Sequence, residues 1–128
     1  MFEATARLKI RDGQLEGFKQ RVAEIVSLTR AGDTRPLRYD WFVNEDGTEC
    51  EVREAYPDAD ALLAQQRRIG EAKAKLFHDY VAGHEMRFYG EVTPALAGAL
   101  ESMGTPFVQF SFFQGLGAAV EERDEVPA

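Results

Sequence analysis

The chain has 128 residues, 45% of them hydrophobic, with nine Phe and four Tyr, enough for one domain with a real core. Its formal charge of −7 argues against nonspecific nucleic-acid binding, since neutralising phosphates needs clustered Lys and Arg. No run of about 18 apolar residues suggests a membrane span, the alternating start "MFEATARLKI" is no apolar signal region, and the lone Cys50 excludes an internal disulfide and fits a reducing cytoplasm.

"FEATARLKI", residues 2–10, alternates with period two and reads as a strand with Phe2, Ala4, Ala6, Leu8 and Ile10 on one face. Asp12-Gly13 turns the chain. From Gln14 to Ala31 a helical stripe of Leu15, Phe18, Val22, Ile25 and Val26 follows, ending near Gly32. "LRYDWFVNEDGTECEVREAY" is a hairpin signature, two alternating runs around the turn residues Asn44 to Gly47. Pro57-Asp58 opens a helix running to Tyr80, with Asp58 as N-cap and Gly70 as a place to break or bend. "EMRFYGEV" is a further strand. "TPALAGALESMG" is a short helix with Thr93 as cap, Pro94 at its first position and Gly104 as terminator. "PFVQFSFFQ" is a last strand, apolar on both faces. The acidic run Glu121 to Glu125 lies in a tail, residues 118–128, expected to be flexible, which leaves one domain over residues 1–117.

The first six elements match the split βαβ, ferredoxin-like motif, an α+β fold with both helices on one face of an antiparallel sheet. Strand parity then sorts the residues. The helix-facing set includes Tyr39, Trp41, Glu54 and Tyr56. The opposite face holds ten charges, five of each sign: Glu3, Arg7, Lys9, Arg38, Asp40, Glu49, Glu51, Arg53, Arg87 and Glu91. A mixed-sign face can meet its own copy across a two-fold axis, and the doubly apolar last strand needs cover. Both point to a homodimer built sheet to sheet.

In the second helix, Leu62, Ile69, Leu76, Phe77 and Tyr80 fall on one face at about 100° per residue. Gln66 and Lys73 fall in the middle of that same face. Gln66, Lys73 and Tyr80 thus point toward Tyr39, Trp41, Glu54 and Tyr56 across the sheet. Because a buried ion without a partner costs several kcal/mol, Lys73 pairs with a group such as Glu54, snorkels to the edge, or lines a wet cavity. His78 and His84 are too sparse for a metal site, Cys50 has no Cys or His neighbour in sequence, and neither a phosphate-binding Gly loop nor a nucleophile elbow occurs.

"LKIRDGQLEGF", "LRYDWF", "VREAYPDADALLAQQ" and "RFYGEVTPAL" followed by "FFQGL" carry a resemblance to the antibiotic biosynthesis monooxygenase (ABM) superfamily of dimeric α/β barrels, and to its quinol monooxygenase members. The resemblance implies a ferredoxin-like protomer whose sheets pack into a barrel across a homodimer, with a pocket between sheet and helices. It also implies a monooxygenase acting on a small aromatic quinol or anthrone-like substrate with dioxygen, using no flavin, haem or metal cofactor. The alternative is a non-catalytic small-molecule binder or structural dimer on the same fold. The superfamily often has a His where this chain carries Gln65 or Gln66, and a Trp where it carries Tyr56. Its haem-degrading members use an Asn in the first strand, which "FEATARLKI" lacks.

Oxygenation of this kind needs a proton acceptor, aromatic walls and donors for a developing oxyanion. Under that reading Glu54 is the candidate proton acceptor, since partial burial moves a carboxylate toward neutral pH. Lys73, Tyr39 and Tyr80 are candidate oxyanion donors. Trp41 and Tyr56 are candidate walls, with Gln66 beside them, and no metal is expected.

Overall fold

Five strands and three helices alternate in the computed structural model, which describes residues 1–33 and 36–116. They run β1 (Phe2–Ile10), α1 (Leu15–Ala31), β2 (Arg38–Val43), β3 (Glu49–Tyr56), α2 (Ala59–Tyr80), β4 (Val81–Tyr89), α3 (Pro94–Ser102) and β5 (Phe107–Phe110). The sheet order β2-β3-β1-β4-β5 is ferredoxin-like over its first four strands, all antiparallel. The fold is α+β. β5 joins β4 in parallel, so the complete sheet is mixed rather than antiparallel throughout. The acidic tail and the position-117 boundary lie outside the described residues.

Local chemistry fixes the element ends. The Asp58 carboxylate accepts from the Ala61 N–H at 2.8 Å and caps α2, and Thr93 does the same for α3 from the Leu96 N–H. Gly47 and Gly104 take positive φ (73° and 66°) where the hairpin turns and α3 stops. Gly70 does not break α2: the helix is continuous through 22 residues. β4 begins at Val81, four residues before its alternation starts, directly after α2 and with no loop. β5 covers only Phe107–Phe110 of the longer run expected.

Period two holds across the sheet. Ala4, Ala6 and Leu8 pair with Glu54, Val52 and Cys50 of β3 and with Phe88, Met86 and His84 of β4. Between Lys9 and Ile10 the pairing steps from Gly83 to Val81. This bulge lets both Val81 and His84 face the helices. Beneath the helices the core divides in two. One cluster gathers Phe2, Tyr56, Leu62, Phe88, Leu96 and Leu100, the other Leu8, Phe18, Ile25, Cys50, Ile69 and Leu76. Ala6 packs against both. Its small side chain, in the central strand, leaves the seam where the candidate site sits.

Candidate functional site

A cavity opens at that seam, walled by the sheet below and by α1 and α2 above. Tyr39 and Trp41 of β2, Val52 and Glu54 of β3, and Ala6 and Leu8 of β1 form its floor. Gln66, Ile69, Lys73 and Phe77 descend from α2, Ile25 comes from α1, and His84, Met86 and Thr105 close the far side. About 30 Å³ of it is open to the centre of a water molecule. That is room for a water or two.

Glu54 is the buried charge of this site, 5% exposed. Its pairing with Ala4 on one side and Tyr39 on the other fixes its inward direction. The Tyr56 hydroxyl donates to Glu54 Oε1 at 2.6 Å. Burial pushes the carboxyl up to about 7, against the Tyr56 hydrogen bond and the charge on Lys73, which both favour the carboxylate. Burial, and then the nearby Glu54, raises both Tyr39 and Tyr56 far above the usual phenol range. Both remain neutral hydroxyl donors.

Lys73 resolves the polar interruption in the apolar stripe of α2. Its Nζ donates to the Gln66 amide oxygen one heptad earlier and lies 5.8 Å from the centroid of the Phe77 ring. It therefore lines the cavity with a neutral amide as its hydrogen-bond partner, instead of forming a contact ion pair with Glu54. Burial lowers its pKa and the Glu54 charge raises it. His84 packs against Phe77 with the rings tilted at 57° and their centroids 4.5 Å apart. Its pKa is lowered by burial and by the charge on Lys73.

Of the residues expected to form a site, the fold brings Tyr39, Trp41, Glu54, Gln66 and Lys73 onto one cavity. Tyr56 reaches it only through its hydrogen bond to Glu54. Tyr80 is elsewhere: its ring lies over Gly17 of α1, so close that a Cβ there would sit 2.4 Å from it. Sequence reasoning missed His84 and Thr105 as lining residues. It also missed Gln65, whose amide donates to Thr29 Oγ1 at 2.7 Å while Thr29 donates to the Ile25 carbonyl, so that α2 is bolted to α1. Trp41 Nε1 is buried without a hydrogen-bond partner among the described residues, which leaves a donor for an oxygen. No group of three His, Cys, Asp or Glu side chains among the described residues could hold a metal.

The opposite face is open. Arg7 lies 3.4 Å from Glu51 and 3.6 Å from Glu49, Arg38 2.9 Å from Asp40, and Arg87 3.1 Å from Glu85. Of these, Arg7, Arg38, Glu51 and Arg87 border a concavity of about 610 Å³. Tyr89 and Phe110 stack at its rim, with ring centroids 5.6 Å apart. No described helix is long and apolar enough to cross a membrane.

No protein-family model and no curated protein matches the chain. Among solved structures, MupZ from Pseudomonas fluorescens is 27% identical, over 93% of this chain and 91% of that one, at a TM-score of 0.69. An antibiotic biosynthesis monooxygenase is 19% identical, over 73% and 100% respectively, at 0.63. Rv0793 from Mycobacterium tuberculosis is also 19% identical, over 73% and 97%, at 0.60. The chain thus shares its fold with these proteins, among them an antibiotic biosynthesis monooxygenase.

Proposed function

We propose that the chain is a cofactor-independent monooxygenase acting on a small aromatic quinol or anthrone-like molecule with dioxygen. One observation carries the reading: a buried carboxyl poised at about 7 in a cavity between sheet and helices. An acid–base group is most useful when its pKa lies near the working pH. Glu54 takes a proton from the substrate, held ready by the Tyr56 hydroxyl. Lys73, Tyr39 and the unpaired Trp41 N–H stabilise the resulting oxyanion. The electron-rich anion then reduces dioxygen. Tyr56 acts through Glu54 and Gln66 through Lys73, whereas Tyr80 is left as packing between the helices. The work is cytoplasmic, where the buried free thiol of Cys50 stays reduced.

The active form is a homodimer packed sheet to sheet. Tyr89, Val108 and Phe110 remain 43–47% exposed beside charges of both signs, and a second copy would cover them. Light scattering should give twice the 14.3 kDa chain mass; a monomer at micromolar concentration would refute this part.

The decisive assay follows dioxygen uptake with a panel of hydroquinones and anthrones. Uptake that depends on Glu54 is the expected result, and its absence with every substrate would sink the oxygenase reading. The cavity's small free volume, about 30 Å³, favours a second reading, a structural dimer without turnover.

A further inference from the structure

The cavity beneath the helices has room for a water or two. The concavity on the open sheet face measures about 610 Å³, the size of a small-molecule site. Parity builds its floor. Thr5 of β1 pairs with Arg53 of β3 on one side and with Arg87 of β4 on the other. The three side chains therefore stand in one row on the open face, and all three line the concavity.

Charge pairing leaves one member of this row over. Asp40 is the cross-strand neighbour of Arg53, but its carboxylate sits 2.9 Å from Arg38 instead. Arg7 is taken up by Glu49 and Glu51, and Arg87 by Glu85. The Arg53 guanidinium makes no hydrogen bond or ion pair among the described residues, and the Thr5 hydroxyl makes no hydrogen bond there. A planar fork of free donors beside a free hydroxyl matches the two oxygens of a carboxylate. On a flat surface water alone would serve such an arginine. What sets Arg53 apart is its place on the floor of a concavity with an apolar rim.

That rim lies two residues further along the strands. Tyr89 pairs with Glu3 of β1 and with Phe110 of β5, and the rings of Tyr89 and Phe110 stack and remain exposed. Two residues of strand advance roughly 7 Å, a distance that a short hydrocarbon spacer covers.

We propose that this concavity binds a small amphipathic carboxylate, its head on Arg53 and Thr5 and its apolar body against Tyr89 and Phe110. Charge complementarity selects the head, because Arg53 is the cation of this floor without a counter-ion among the described residues. The stacked rings select the body, which is a ring or a hydrocarbon chain. The site lies across the sheet from the Glu54 and Lys73 carboxyl and ammonium groups and involves no oxygen chemistry. It therefore stands or falls separately from the oxygenase reading.

Calorimetry of the full chain at low ionic strength tests this with 3-phenylpropanoate against its neutral isostere 3-phenylpropanamide. The acid should bind at least about tenfold tighter than the amide, and added salt should weaken the acid alone. Octanoate carries the same head on a chain, and the tighter of the two acids identifies the body. Arg53→Gln should erase the preference for the acid. Arg21→Gln removes the same charge from α1, outside the concavity, and should leave both affinities unchanged. Phe110→Ala should weaken acid and amide alike, by about three- to tenfold. Equal binding of acid and amide overturns the proposal, as does a preference that survives Arg53→Gln. Failure of both acids to bind overturns it too. Weaker self-association of Arg53→Gln in sedimentation would then assign Arg53 to the contact between two copies.

Discussion

Glu54 and Glu51 belong to one strand, three residues apart, and they occupy different chemical worlds. Glu54 faces the helices, 5% exposed, with a tyrosine hydroxyl as its partner. Glu51 faces away, its side chain 48% exposed beside Arg7. The odd spacing alone puts them on opposite faces. On the covered face, removal from water moves the carboxyl pKa into the range where it can exchange protons. On the open face, water and a flexible guanidinium leave an ordinary surface pair. A residue type therefore predicts little here until its face is known.

The sharpest way to break the comparison is to change the covered carboxyl. If the Glu54 carboxyl transfers the proton, Glu54→Gln should lower turnover by roughly 10² to 10⁴-fold, with circular dichroism unchanged. Turnover within threefold of the parent would mean that the two glutamates do not differ in chemistry as argued.

Stability measures the same contrast next. Burial raises Glu54 from 4.5 to about 7, so the folded chain holds this proton more tightly than the unfolded one. Its stabilising contribution is complete below pH 4.5 and is lost as pH rises through about 7, amounting to about 3 kcal/mol. Urea melts of parent and Glu54→Gln should therefore diverge, the variant gaining relative stability from pH 5 to pH 8. Parallel curves would show that the carboxyl is not desolvated.

On the other face, Phe110→Lys places an ammonium in the apolar rim beside Tyr89. If a second copy covers that rim, the dimer should weaken by about 10- to 100-fold in Kd, or 1.4 to 2.8 kcal/mol, as read by sedimentation. An unchanged association constant would mean that the rim is not at the interface. The smallest effect belongs to the exposed pair. Glu51→Gln should cost less than about 1 kcal/mol in the dissociated chain, and a larger loss there would erase the distinction between the faces.

Much of this was legible in the sequence because alternation is a strict rule. The pattern in "FEATARLKI" gives β1 to the residue, and parity sets Glu54, Tyr39 and Trp41 on one face before any coordinates. The helical angle was a weaker guide. Tyr80 shares its angle with Lys73 but lies seven residues along, about 10 Å further at 1.5 Å per residue, beyond the cavity. Gly70 read as a break, and its propensity cost is about 1 kcal/mol. Burial of Leu62, Ile69 and Leu76, each at most 1% exposed, outweighs that cost. The start of β4 was hidden because "VAGH" does not alternate; the bulge breaks the period there. His84 was weighed only as a metal ligand, and its approach to Phe77 depends on that same bulge. The free volume of the cavity is set by how the two core clusters meet, which no local pattern encodes.

The absence of a loop between α2 and β4 makes one mechanical part out of two. The Val81 N–H still bonds to the Phe77 carbonyl, and the Arg11 N–H clasps the Tyr80 carbonyl at 2.9 Å. Lys73 and Phe77 on one arm of this part, and His84 and Met86 on the other, keep a fixed phase. There is no slack residue to absorb a change of length. One inserted residue at this joint would turn the helical arm by about 100° relative to the strand or flip the strand's inward and outward sides. Either way His84 and Lys73 would part company. Variation in this site must therefore come by substitution, since the joint tolerates neither insertion nor deletion.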